Sequence, residues 1–161
     1  MLGGLQMSKY IDQYQRMMRW YKKFENLNLG IPHDKESNYY IDEIYAFFIN
    51  CYHLKDWIKN DNLINADISD VETIINNSRN LRICADICNG LKHLTLRNDL
   101  SRIDPNTTFG KKHVKVGLGS QPTTIALNIE IVADGNVYDA FNLATACIKE
   151  WENYLKSKGL L

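Results

Sequence analysis

The stretch that decides the fold is residues 69–96, SDVETIINNSRNLRICADICNGLKHLTL. Its apolar side chains recur every three or four residues, which places them on one face of an α-helix. The members of this face are Ile74, Leu81, Cys84, Ile87, Cys88, Leu91 and Leu94. Ser69 followed three residues later by Glu72 forms a capping box, which marks the beginning of a helix. The stretch therefore predicts one long amphipathic helix, helix three, over residues 69–97.

Three other segments show the same helical spacing. Helix one is predicted over residues 8–27, with Ser8 as its N-cap. Helix two is predicted over 37–60 and helix four over 136–156. Prominent apolar residues of these helices are Tyr10, Met17, Phe24, Phe47, Cys51, Leu54, Phe141, Ile148 and Trp151.

The period changes to two between helices three and four. Apolar residues alternate with polar or small ones in two short runs, which is typical of β-strands. The apolar positions are Val114, Val116, Leu118, Ile125, Leu127, Ile129 and Ile131. We expect a β-hairpin over about 113–132, joined through GSQP at 119–122. The predicted fold is mostly α: one domain, residues 1–161, with a four-helix up-and-down-like bundle and the hairpin inserted between helices three and four.

The composition is that of an ordinary globular protein. Among 161 residues, 19 basic side chains balance 19 acidic ones, so bulk charge does not favour tight nonspecific binding to nucleic acid or to an anionic membrane. No apolar run approaches the roughly 18 residues that span a bilayer. The start, MLGGLQMSKY at residues 1–10, lacks the features of a secretory signal, so we expect a cytoplasmic protein without a membrane partner.

The four cysteines fall at core-like positions of the predicted helices. They are Cys51, Cys84, Cys88 and Cys147. Buried free thiols are common in reducing compartments, and no second cysteine pair completes a zinc motif with Cys84 and Cys88. We therefore predict structural cysteines and no metal.

Polar side chains form a line on helix three opposite its apolar face, because successive residues are about 100° apart. The line consists of Arg82, Asp86, Asn89, His93 and Arg97. This pattern predicts that His93 faces away from the core, with Arg97 one turn beyond it. Lys92 is adjacent in sequence but points about 100° away.

Helix two has a comparable polar side. His53 and Asp56 lie there, together with Trp57 and Ile49. Apolar groups among polar ones favour a partner surface such as a dimer seam, whereas a solvated face with stray apolar residues is the alternative. Gly90 in helix three costs about 1 kcal/mol relative to alanine and permits a close approach.

The segment CNGLKH, residues 88–93, resembles the signature of the HEPN superfamily, whose members are small prokaryotic helical bundles. That motif is arginine, a polar residue that is often asparagine, three further residues and histidine. Asn89 and His93 match it, while Cys88 stands at the arginine position. The resemblance implies a homodimer in a prokaryotic defence or toxin–antitoxin setting. In active members the motif residues of two protomers meet and cleave RNA without a metal.

No cofactor is expected, because phosphate-binding and dinucleotide motifs are missing. Three functions stay open. The preferred function is a noncatalytic module that binds RNA or a protein. The first alternative is a ribonuclease in which His93 is the acid or base, Asn89 assists and Arg97 stabilises phosphate charge. The second is a metal site. Its ligands would be His53, Asp56, Asp86 and His93. The residues assigned to binding are His53, Asp56, Trp57, Asp86 and Lys92.

Overall fold

The computed structural model describes residues 8–119 and 121–161. Within them, the α-helices are α1 (Lys9–Leu29), α2 (Ser37–Asn60), α3 (Val71–Asn77), α4 (Arg79–His93) and α5 (Ala140–Ser157). The strands are β1 (Ile31–Pro32), β2 (Thr108–Gly117), β3 (Thr124–Ala133) and β4 (Asn136–Asp139). One 3-10 turn spans Asn98–Leu100. The prediction of a mostly α fold is confirmed, but these residues form five helices rather than four and a four-stranded sheet rather than a lone hairpin.

The predicted helix three is wrong in its continuity, because it is divided between α3 and α4 at Ser78. The Ser78 hydroxyl accepts a hydrogen bond from the backbone N–H of Leu81 at 2.9 Å and so caps a new helix. Serine side chains compete for backbone donors in this way, which favours a helix start over a helix interior. The predicted capping box at Ser69 is also wrong, since Asp70 precedes α3 and makes no side-chain cap bond.

The predicted C-terminal end of helix three is wrong as well. α4 ends at His93, and Leu94 has φ 62° and ψ −48°. The N–H of Thr95 bonds to the carbonyl oxygen of His93 at 2.6 Å, which closes a γ-turn of the strained, positive-φ type. Arg97 therefore lies beyond a sharp turn and not one helical turn past His93.

The predicted hairpin is present as β2 and β3, although β2 begins at Thr108 and carries an irregularity between Phe109 and Lys112. The predicted turn includes Ser120, which lies outside the described residues, as do residues 1–7 of the quoted start. β3 pairs with β2 along one edge, and with β1 and β4 along the other. Its alternate residues are buried against the helices, as the period of two requires.

The core lies between the sheet and the helices. Its aromatic part includes Phe24, Phe47, Phe48 and Trp151. All four cysteines are free and buried, as the helical periodicity predicted. None of the helices described is long and apolar enough to cross a membrane.

Candidate functional site

A cleft of about 380 Å³ lies between α2 and α4. Its polar lining is formed by His53, Lys55, Asp56, Asn89 and Lys92. The sequence could not show whether the polar sides of these two helices meet, and the structure brings them together. We call this region the α2–α4 cleft.

Cys88 forms part of the inner wall of the α2–α4 cleft. Its sulfur lies 3.9 Å from Nε2 of His53, so the two helices contact each other at this level. Burial, with the charge of Cys51 as a smaller cause, raises the pKa of the Cys88 thiol to about 11, which leaves it neutral at physiological pH. An arginine at this position would have to bury its charge, which is costly without a partner.

The charges in the cleft differ in how far they are neutralised. Lys55 pairs with Asp56 at 2.8 Å and with Glu72 at 3.5 Å. Burial acts to lower the pKa of Lys55, but the hydrogen bond to Asp56 and the surrounding negative charge raise it overall. Lys92 is exposed and has no hydrogen bond or ion pair with any residue that the structure describes. Among the described residues of the cleft, Lys92 is therefore the cation without an ion pair that a ligand can contact.

Two of the three residues assigned to catalysis lie outside the cleft. His93 is the last residue of α4 and is exposed. Arg97 lies beyond the γ-turn and pairs with Asp99 at 2.9 Å, with 71% of its side chain exposed. Asn89 lines the cleft, but the chain by itself does not assemble Asn89, His93 and Arg97 around one phosphate.

Asp86 contradicts its predicted place on a solvated stripe, because it is fully buried. Its carboxylate accepts hydrogen bonds from the Ser101 hydroxyl and from the backbone N–H groups of Arg102, Ile103 and Asp104, at 2.7 to 3.0 Å. These bonds attach residues 101–104 to α4. With its oxygens so used, Asp86 does not join His53, Asp56 and His93, and the four proposed metal ligands do not converge.

Trp57, which the sequence places at a possible dimer seam, makes a contact within the chain. The Trp57 ring is partly buried, and the guanidinium carbon of Arg16 lies 5.3 Å from its centroid. This contact joins α2 to α1 within one chain. Ile49, the other apolar residue of that side, lines the α2–α4 cleft.

A second cleft, of about 550 Å³, adjoins the first and shares Leu91 and Lys92 with it. We call it the hairpin-side cleft. Its further lining includes Tyr45, Gly90, Leu94, Phe109 and Lys112. The rings of Tyr45 and Phe109 are 4.8 Å apart. Tyr45, Phe109 and Lys112 could not be predicted as site residues, because nothing in their local sequence pattern shows that α2 and the start of β2 lie beside α4.

Comparisons with protein-family models, with curated proteins and with solved structures found no match for this chain. The function is therefore inferred from the geometry of the two adjoining clefts.

Proposed function

We propose that this protein is a HEPN-like homodimer that binds RNA without cleaving it. The observation that carries the proposal is the convergence of His53, Asp56, Asn89 and Lys92 on one cleft, while His93 and Arg97 lie outside it. Binding needs complementary groups at a concave surface, which the cleft supplies. Phosphoryl transfer also needs an acid or base and positive charge aimed at the same phosphate.

The surface near the end of α4 supports the homodimer. Leu91 and Leu94 are 38% and 95% exposed, although both are large apolar residues. Gly90 lies beside them, and a Cβ added there would have no neighbouring atom within 4 Å. The packing of the described residues against this position therefore does not require glycine. An apolar patch around a bare helical backbone suits close approach by the same surface of a second copy.

The part of the hairpin-side cleft outside the apolar patch, which is lined by Tyr45, Lys92, Phe109 and Lys112, supports RNA as the ligand. The side chains of Lys92 and Lys112 are exposed and form no hydrogen bond or ion pair with residues 8–119 and 121–161. Tyr45 and Phe109 line the same cleft and are only partly buried, so their accessible ring surface can stack with bases of single-stranded RNA. A cleft that contains both cations and aromatic rings is typical of proteins that bind single-stranded nucleic acid.

The oligomeric state is tested by light scattering at micromolar concentration. A homodimer gives twice the 18.6 kDa chain mass. Replacing Leu91 by Glu should return the protein to the monomer mass, because a charge at an apolar contact is costly to bury. A wild-type monomer throughout this range would contradict the dimer.

RNA binding is tested by fluorescence anisotropy with a labelled single-stranded oligonucleotide. The double variant Lys92→Ala, Lys112→Ala should bind at least about tenfold more weakly, because two phosphate contacts are lost. Lys22→Ala is the matched control, since that exposed lysine pairs with Glu25 on α1. An unchanged affinity in the double variant would shift the proposal to a protein partner.

The same RNA, followed on a denaturing gel, tests the absence of cleavage. We expect it to remain intact with the wild type and with His93→Ala. Cleavage by the wild-type dimer that disappears in His93→Ala would favour the ribonuclease alternative, with its site completed by the second copy.

A further inference from the structure

Three thiols from three different helices meet in the core. They belong to Cys51 of α2, Cys84 of α4 and Cys147 of α5, and their sulfur atoms lie within 4.8 Å of one another. All three side chains are buried, with at most 1% exposed. Among the described residues, no other group of three or more histidines, cysteines or carboxylates has such a geometry. We call this group the thiol triad.

The dimensions of the thiol triad suit a metal ion. A point between three atoms that are no more than 4.8 Å apart lies within about 2.8 Å of each of them. Bonds from thiolate sulfur to metals such as zinc are about 2.3 Å long, so side-chain shifts of a few tenths of an ångström would complete the coordination. Because the ligands come from separate helices, bound metal would hold α2, α4 and α5 together.

A second feature lies beside the triad. Trp151 follows Cys147 by one helical turn on α5, so the two side chains lie on the same face of that helix. Nε1 of Trp151 is buried and makes no hydrogen bond in the described structure. A charged acceptor forms stronger hydrogen bonds than a neutral one, so a metal-bound thiolate in the triad would supply the acceptor that this N–H lacks.

The number and kind of ligands distinguish among thiol-binding metals. Structural zinc takes four ligands, and iron–sulfur clusters take four cysteines, whereas the triad offers three sulfurs and no fourth ligand in the described residues. Soft thiolates also select Cu(I), which is stable with two or three sulfur ligands. We propose that the thiol triad binds one Cu(I) ion. The thiols that become ligands release their protons to solvent, and the ion enters and stays as Cu(I), so no electron is transferred.

The fourth cysteine lies outside the triad. Cys88 lines the α2–α4 cleft one helical turn after Cys84, whereas the sulfur atoms within 4.8 Å of one another belong to Cys51, Cys84 and Cys147. The proposal does not depend on RNA binding or on the dimer.

The test is an anaerobic titration of the purified full-length protein with Cu(I), in competition with a coloured Cu(I) chelator. We expect about one ion per chain and a thiolate-to-copper absorption in the near ultraviolet. Cys51→Ala and Cys147→Ala should each lower the affinity at least about a hundredfold, because a ligand is lost. Cys88→Ala is the matched control and should keep the stoichiometry of the wild type. The proposal would be overturned if the triad variants bound Cu(I) as tightly as the wild type, or if Cys88→Ala no longer bound it.

A measurement on the wild type guards against variants that fail to fold. The chain has 3 tryptophans, whose indole N–H groups give separate nuclear magnetic resonance signals. Cu(I) should shift the Trp151 signal, identified by its absence in Trp151→Phe, and leave those of Trp20 and Trp57 in place. A Trp151 signal that stays in place at saturating Cu(I) would place the ion elsewhere and overturn the assignment to the triad. Zinc tested in parallel should bind more weakly, and tighter zinc binding would contradict the selection of Cu(I).

Discussion

Asp86 and His93 lie about two turns apart on the same side of α4, and their environments are opposite. Asp86 is fully buried and accepts four hydrogen bonds from residues 101–104. His93 is exposed, and its side chain has no partner in the described structure. Asp86 thus holds the loop of residues 101–104, whereas Asn89 lines the α2–α4 cleft and His93 is exposed outside it. We call Asp86 with this loop the anchored half of α4, and residues from Asn89 to His93 its free half.

The difference shows that polar residues at helical spacing have two distinct uses. A buried carboxylate that satisfies several backbone donors is part of the fold. An exposed group next to a bare glycine and an apolar patch contributes little to the fold, so it is free to serve binding. Stability measurements along α4 can therefore separate the anchored half from the free half.

The largest expected effect is that of Asp86→Ala. The substitution leaves the backbone N–H groups of Arg102, Ile103 and Asp104 without their acceptor, so we expect a loss of about 3 kcal/mol or more in the free energy of unfolding. Urea denaturation followed by circular dichroism measures it. Asp99→Ala, which removes a carboxylate that is 65% exposed, is the control and should change stability by less than about 0.5 kcal/mol. Equal effects of the two variants would refute the distinction between the anchored and the free half.

The buried faces of the helices and of β3 could be predicted from the sequence, because burial there follows the period of apolar residues. In β2 the same period does not predict burial, since Val114 and Val116 are 52% and 47% exposed. The period of two identified Ile125, Leu127, Ile129 and Ile131, and all four are buried. The division at Ser78 could not be predicted in this way, since the apolar period continues from α3 into α4 across it. What decides the break is one local hydrogen bond from Leu81 to the Ser78 hydroxyl.

The candidate site was predicted only in part, because residue spacing within one helix does not show which other segments of the chain cover it. Spacing placed His53 and Asp56 on one side of α2 and Asn89 on one side of α4, and these three residues line one cleft. Spacing alone could not distinguish Asp86 from Asn89, because the difference arises when residues 101–104 fold over one of them. Phe109 was missed for the same physical reason, since its position beside α4 depends on the tertiary path of β2.

The next largest expected effect is that of Gly90→Ala, which should stabilise the chain, whereas Asp86→Ala should destabilise it. Because a Cβ at this position meets no atom within 4 Å, Gly90→Ala should raise the free energy of unfolding of the dilute monomer by about 0.5 to 1 kcal/mol. If two copies approach over this residue, the same variant should weaken the dimer, which light scattering over a dilution series measures.

Gly110→Ala is the matched glycine control. Its Cβ would lie 3.1 Å from Cγ2 of Val132 and 3.3 Å from Cβ of Glu130, so it should destabilise the chain. A stabilised Gly90→Ala protein with an unchanged dimer would show that the free half of α4 is not the dimer contact.

A smaller expected effect is the pH dependence of the stability that Glu72 contributes to the anchored half. Glu72 accepts bonds from Arg102 at 2.8 Å and Lys59 at 3.0 Å, and so fixes the loop that Asp86 holds. Burial acts to raise the pKa of Glu72, but these bonds and the charge of Lys55 lower it from 4.5 to about 2. A lowered folded-state pKa stabilises the protein above pH 4.5, and this stabilisation is lost as the pH falls toward 2.

Glu72→Gln should therefore cost up to about 1 kcal/mol at neutral pH, a modest value because the side chain is 34% exposed and screened by solvent. The difference from the wild type should shrink as the pH is lowered, when unfolding is measured at a series of pH values. Glu25→Gln, in the exposed pair with Lys22, is the control and should show little dependence. A Glu72→Gln deficit that stays constant from pH 7 to 3 would mean that the carboxylate charge does not hold the loop.

The smallest expected effect is that of Arg97→Ala, and it tests where the free half ends. Arg97 pairs with Asp99 at 2.9 Å, but both side chains are mostly exposed, so the pair should contribute less than about 0.5 kcal/mol to stability. Because Arg97 lies beyond the γ-turn at Leu94 and lines neither cleft, we also expect the affinity for RNA to change less than about twofold. Urea denaturation and the anisotropy titration measure the two quantities on one preparation. A tenfold loss of affinity at unchanged stability would extend the binding surface past the turn, and it would return Arg97 to the phosphate-binding role that the sequence first suggested.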